Sequence, residues 1–243
     1  MIDKFFDRTY VISLRSAVHR QAHIRRNFAR AGIMRYHFFE AVKGADLDLL
    51  ALKKARILAD KPAGHGNIDL NPNEVGCAWS HIKIYESALA LGFKRVLICE
   101  DDVKFRDDAG ELFRQYFEEM PADWDIIHFL STRPVGCDHP WDRLRKKVSD
   151  HVYQGYNEGA GSGCYAITRR GMKFLLRHAY PINKSADGLT SWPTGWWKQC
   201  RKYKGYVVDP QPCSSQPFRS EIGGRSEEVE KILYRRWKNQ QKK

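Results

Sequence analysis

Apolar and polar positions come in alternating blocks along this chain, and the blocks predict strands and helices in turn. Tyr10-Val11-Ile12-Ser13-Leu14 is a short apolar segment that reads as a strand. A basic stretch from about Ala17 to Ala31, closed by Gly32, reads as a helix, and Tyr36 to Val42 reads as a second strand. The opening is therefore a βαβ unit. Residues 44–72 break the rhythm with Gly, Pro, Asn and Asp, and Pro62 to Pro72 is expected as a surface loop. Asn71-Pro72-Asn73-Glu74 then announces a helix running to about Leu91 and stopping at Gly92. Asn suits the N-cap, Pro the first helical position, and Glu74 can close a capping box. The strand Val96-Leu97-Ile98-Cys99, with three acids at its end, follows, then a short helix near 108–119 and a strand over Asp125 to Leu130. Residues 131–158 read as irregular. Gly163 to Thr168 reads as a strand followed by a helix to about Ala179, and Gly205 to Val208 as the last strand. No internal repeat is visible. The pattern predicts one α/β domain with a mainly parallel central sheet flanked by helices.

The acidic strand carries the first candidate chemistry. Val96-Leu97-Ile98-Cys99 is continuous enough to be buried on both faces, and Glu100-Asp101-Asp102 stands at its end. In open α/β sheets ligands bind at the carboxyl ends of strands. Alternation turns Glu100 and Asp102 one way and Asp101 the other. Paired carboxylates are costly unless donors or a cation neutralise them, and a hard divalent ion bridging to phosphate oxygens would do so. A solvated acidic turn capping the helix near Asp107 is the plainer alternative.

On the preceding helix, Glu74 and His81 are seven residues apart and share a face with Cys77, Ala78, Ile84, Tyr85 and Ala88. That face is the buried one, with Lys83, Glu86 and Ser87 toward water. The functional reading is that Glu74, Ser80 and His81 border a cleft and contact a sugar, while the residue pattern by itself favours a plainer one. The alternatives are a capping role for Glu74 and a hydrogen-bonded core position for His81.

Charge widens the range of partners more than it narrows it. Of 243 residues, 41 are basic and 29 acidic, giving a net charge of +12. Such an excess attracts nucleic acid, acidic lipid or phosphorylated substrates alike. Much of it lies in the tail, where Lys231, Arg235, Arg236, Lys238, Lys242 and Lys243 alternate with Ile232, Leu233, Tyr234 and Trp237. Such a tail suits a basic amphipathic helix lying on an anionic membrane, or a plain solvated helix. Mean hydropathy is −0.58, and no apolar stretch approaches the ~20 residues of a transmembrane helix. The polar start, Met1 to Arg8, does not read as a signal peptide, so a cytoplasmic location is expected. Six cysteines lie far apart without a CxxC pair and are expected to be reduced and structural, with no spacing that supports zinc.

Asn73-Glu74-Val75-Gly76-Cys77-Ala78-Trp79-Ser80-His81, followed by Val96 to Phe105 with its Glu-Asp-Asp, resembles the family 25 glycosyltransferases. These include lipooligosaccharide galactosyltransferases and collagen galactosyltransferases. Val11-Ile12-Ser13-Leu14 with His19-Arg20 is similar to the family's opening, although Ser13 replaces the usual Asn and His19 one arginine of a pair. Gly161 to Thr168, Gly171 and Leu175-Leu176 are similar to a later block. Pro181 with Asp187, and Val207 through Gln216, match the closing segment more loosely. Trp192-Pro193-Thr194-Gly195-Trp196-Trp197 departs from the family pattern, where acceptor choice is expected to be decided. The resemblance covers residues 8–217 and suggests a family domain over 1–224 followed by a basic tail over 225–243.

The resemblance implies a GT-A-like fold and an inverting transfer of hexose, most often galactose from UDP-galactose, with Mn²⁺ or Mg²⁺. The acceptor would be a glycan or glycolipid such as lipooligosaccharide or lipopolysaccharide core. Asp102 with Glu100, or Asp101 assisting, would hold the metal. Ile12, Ser13, Arg15, Arg20 and Asp101 would bind the nucleotide-sugar, and Ser80 and His81 would lie in the acceptor cleft. Asp187, read as lying in a loop after the last helix, is the expected base, with Glu74 in reserve. The competing classes are a nucleic-acid-binding protein or metal-dependent nuclease, and a non-catalytic relative that serves as a binding module.

Overall fold

The computed structural model describes residues 2–61, 70–132, 134–136, 145–155, 161–191 and 203–216. The opening unit is β1 (Arg8–Ser13), α1 (Val18–Ala31) and β2 (Tyr36–Glu40). Gly32 closes α1 at φ 71°, a left-handed conformation that glycine adopts without a Cβ penalty. After α2 (Leu49–Lys54) comes α3 (Pro72–Ala90), then β3 (Arg95–Glu100), β4 (Val103–Phe105) and α4 (Ala109–Glu119). The second half holds β5 (Ile126–His128), β6 (Lys146–Lys147), β7 (Val152–Gln154), β8 (Cys164–Thr168), α5 (Arg169–Leu176), α6 (Ala186–Ser191), β9 (Gly205–Val208) and β10 (Cys213–Ser215).

Eight strands form one sheet in the order β2-β1-β3-β8-β5-β9-β7-β6. Pairing is parallel for β1 with β2, β1 with β3 and β5 with β9. It is antiparallel where β8 meets β3 and β5, and where β7 meets β9 and β6. Six strands thus share one direction and two oppose it, so the sheet is mainly parallel, as expected. The reversal of β8 matters for the site. It makes the start of β8 lie beside the end of β3, where Glu100 N–H donates to Gly163 O at 2.8 Å.

Alternation along β3 sorts its side chains between two core layers. Leu97 and Cys99 pack with Ile24 and Phe28 of α1 and Phe113 and Tyr116 of α4. Val96 and Ile98 pack on the other face with Val75, Ala78, Ile82 and Tyr85 of α3 and Met172 and Leu175 of α5. Helices therefore cover both faces, which makes the continuous apolar run of β3 stable in the sheet.

Several local expectations change. After Glu100 ends β3 the chain turns at Asp101-Asp102, and the unforeseen β4 leaves the main sheet to pair antiparallel with an equally unforeseen β10. Gly205–Val208 is consequently not the last strand. Within 44–72 there is a short helix, α2, capped by Asp48, whose carboxylate accepts from Ala51 N–H at 3.0 Å. The stretch read as irregular contains β6 and β7. Asp187 is in the first turn of α6 rather than in a loop. Most of the expected surface loop, the Trp-rich segment and the basic tail lie outside the described residues. Among the described residues, no helix is long and apolar enough to cross a membrane.

Candidate active site

A cavity of about 150 Å³ opens at the carboxyl ends of β1 and β3, where Ile12, Ser13, Arg20, Cys77, Ser80, Glu100 and Asp101 line it. Its rim is the segment after β2, held hard against the start of α3. A Cβ on Gly44 would sit 2.3 Å from Pro72 O, and one on Gly76 would sit 2.5 Å from Val42 O. Only glycines allow backbones this close. Ser80 fastens the same contact: its hydroxyl accepts from Val42 N–H at 2.8 Å and donates to Gly76 O at 2.7 Å.

The three acids have three different surroundings. Asp101 turns toward α1, where it pairs with the Arg20 guanidinium and accepts from Ser13 Oγ at 2.7 Å. Burial pushes its carboxyl up, although Arg20 and Ser13 pull against that. Glu100 turns toward α3. Its Oε1 accepts from Ser162 Oγ at 3.1 Å and lies 3.8 Å from His81 Nε2. Burial opposes its ionisation, but His81, Ser162 and Arg20 together hold it below the usual carboxylate range. Asp102 follows the turn and accepts from Ser215 Oγ at 2.6 Å. Burial first, and the Glu100 charge second, push its carboxyl up to about 6. A buried carboxyl whose ionisation is opposed by a neighbouring carboxylate is short of positive charge. This donor set of oxygens fits a hard divalent ion.

Asp187 joins this group through Ser162, whose N–H donates to Asp187 Oδ1 at 2.6 Å. Ser162 therefore ties Asp187 to Glu100. Burial, then the Glu100 charge, raises the Asp187 carboxyl.

The remaining expected residues divide. Ile12, Ser13, Arg20 and Ser80 line the cavity, Ser80 with its hydroxyl already engaged. Arg15 instead pairs with Glu40 at 2.7 Å on the surface, with side chains 84% and 59% exposed. Glu74 completes the capping box, accepting from Asn71 N–H at 2.9 Å. His81 is fully buried, with Nδ1 2.7 Å from the Tyr165 hydroxyl. Cys77, Ser162 and Ser215 are site residues that sequence reasoning missed. Burial raises the Cys77 thiol well above its ordinary range, and the Glu100 charge adds to this. Its place on the Glu74–His81 helix face was the available signal; nothing local marks Ser162 or Ser215.

A mainly parallel sheet with an acid-lined cavity at its carboxyl edge defines an α/β protein with a cavity where open sheets of this kind hold their ligands. The sequence profile described as glycosyltransferase family 25 (LPS biosynthesis protein) matches residues 6–190. This chain belongs to that family. A provisional glycosyltransferase of Haemophilus influenzae is 30% identical over 182 residues, covering 74% of this chain and 61% of that protein. A glycosyltransferase 25 family member of Drosophila melanogaster is 30% identical over 184 residues, 73% of this chain and 29% of the fly protein. An inactive glycosyltransferase 25 family member 3 of Mus musculus is 33% identical over 135 residues, 51% of this chain and 22% of the mouse protein. The chain thus spans about three fifths of the bacterial relative and under a third of the animal ones. Among solved structures, a glycosyltransferase involved in glycosylating the major capsid of PBCV-1 aligns with a TM-score of 0.45 at 8% identity, covering 94% of this chain and 98% of that one.

Proposed function

We propose that this chain is a metal-dependent, inverting glycosyltransferase that moves a hexose, galactose from UDP-galactose in the first instance, onto a glycan acceptor of the lipooligosaccharide or lipopolysaccharide core type. The observation that carries this reading is the cavity at the carboxyl ends of β1 and β3, lined by Glu100, Asp101 and Arg20, with Asp102 at the turn that follows. Asp102, with Glu100, would hold Mn²⁺ or Mg²⁺, and such an ion supplies the charge that stabilises a departing diphosphate. Arg20, fixed by Asp101, brings a guanidinium to the same cavity, where it suits a phosphate. Asp187 takes the proton of the acceptor hydroxyl. Its raised carboxyl makes it a better base at neutral pH than an ordinary aspartate, and Ser162 fixes its position. Glu74 is less suited, because the helix cap uses its Oε2. A cytoplasmic place with peripheral contact to an anionic membrane through residues 225–243 belongs to the same proposal. Family membership favours this reading over a nuclease.

Calorimetric titration of UDP tests it. Tight binding is expected only for the unmodified chain with Mn²⁺, and not in EDTA or with Asp102→Ala. Binding indifferent to metal and to Asp102, or none at all, would sink the mechanism. The inactive mouse relative favours a second reading, a binding module without catalysis. That reading predicts metal-dependent UDP binding but no transfer or hydrolysis of UDP-galactose.

A further inference from the structure

Cys77 and His81 are four residues apart on α3, so one helical turn sets them side by side on the face toward the sheet. Alternation along β3 turns Glu100 to that same face. One ligand atom from each of the three, a sulfur, a ring nitrogen and a carboxylate oxygen, lies within 4.8 Å of the others. A helical i, i+4 pair completed by a carboxylate from another element is a recurrent way of building a zinc site that keeps one position open.

The His81 ring is already oriented for such a role. Its Nδ1 is 2.7 Å from the Tyr165 hydroxyl, which is 2.6 Å from the Tyr85 hydroxyl. With the proton on Nδ1, donation runs from His81 to Tyr165 to Tyr85, and Nε2 is left with a lone pair for a cation in place of a proton toward Glu100. The 3.8 Å separation there is too long for a hydrogen bond, and this fully buried nitrogen has no hydrogen-bond partner. A buried ring nitrogen without a partner is costly, whereas an imidazole held through its other nitrogen is a prepared metal ligand.

We infer that Cys77, His81 and Glu100 form a binding site for a thiophilic divalent cation, zinc being the best match, with a fourth position facing the cavity that Cys77 and Glu100 line. The sulfur and imidazole select a softer ion than the oxygen pair Glu100 and Asp102 would, so this site goes beyond the transferase reading, with which it shares Glu100.

Cobalt titration of the full chain, with zinc as competitor, tests the assignment. A thiolate-to-cobalt charge-transfer band should saturate at one equivalent, disappear on adding zinc, and be absent from Cys77→Ser. His81→Ala should bind cobalt at least about tenfold more weakly. Should either variant fail to fold, the unmodified chain still answers: zinc should slow alkylation of Cys77, read by peptide mapping. No band, a band that survives Cys77→Ser, or Cys77 alkylation indifferent to zinc would each overturn the site. Asp102→Ala should keep the cobalt band while losing UDP. A chain with the band but no UDP binding keeps this site and loses the transferase reading, and the reverse result does the opposite.

Discussion

Asp101 and Asp102 are neighbours in sequence, yet the turn between β3 and β4 gives them unlike partners. Asp101 is locked between Arg20 and Ser13, and its side chain and that of Arg20 are only 9% and 12% exposed. A carboxylate so engaged serves to hold the guanidinium in place. Removing one partner of a nearly buried pair leaves the other charge uncompensated, which costs about 3–5 kcal/mol. Asp101→Ala should therefore destabilise the chain by about 3 kcal/mol, at the lower end because neither group is wholly buried. Urea unfolding checks this; a midpoint unchanged from the unmodified chain would mean that Arg20 is not held through Asp101. Strand alternation alone separated Asp101 from Glu100 correctly, toward α1 and α3 respectively. The partners that decide what each acid does come from residues 13, 20, 81, 162 and 215, too far along the chain for any local pattern to connect.

At the scale of elements, the rim of the cavity depends on the backbone of residues 42–44 touching the first turn of α3. A methyl group on Gly76 would press into Val42 O at 2.5 Å and Gly44 N at 3.0 Å. Gly76→Ala should cost about 1–3 kcal/mol by overpacking and weaken UDP binding as the rim shifts. The same substitution at Gly110 in α4 meets nothing within 4 Å, so Gly110→Ala should instead stabilise by about 0.4–1 kcal/mol. Thermal melts of the two variants should move in opposite directions; a shared direction would count against close approach at Gly76. Elements with strong local signals were legible in the sequence: α1 with Gly32 behind it, α3 with Asn71, Pro72 and Glu74, and β3 with its unbroken apolar run. Those that exist through a partner were not. β10 is three residues, Cys213-Ser214-Ser215, made a strand by pairing with β4. α6 carries a glycine in six residues and rests on burial of Ala186, Leu189, Thr190 and Ser191. β4 likewise stands apart from β3 through a distant partner, since it pairs with β10 and Asp102 before it accepts from Ser215.

For the molecule as a whole, gathering Glu100, Asp102 and Asp187 at one sheet edge sets stability against the proposed function. Asp102 has its carboxyl pushed from an ordinary 3.8 to about 6. An acid raised in the folded state loses its proton first in the unfolded chain, so its ionisation opposes folding. The penalty grows from about pH 4 to about 6 and is complete above that. At about 1.4 kcal/mol per unit it amounts to at most about 3 kcal/mol. Asp187, raised for the same reasons, acts in the same direction. Asp102→Asn removes the charge while leaving an acceptor for Ser215, so in EDTA near pH ~7.5 it should melt several degrees above the unmodified chain, at roughly 2–4 °C per kcal/mol. Near pH ~3.5 the two should converge, because Asp102 is then largely protonated in the unfolded chain as well as in the native one. Mn²⁺ with UDP should reverse the order at neutral pH, since only the unmodified chain keeps the carboxylate that a cation would use. A variant that melts lower than the unmodified chain in EDTA at neutral pH would show that Asp102 is a structural acid whose charge is already satisfied, and would remove the main support for a metal at the end of β3.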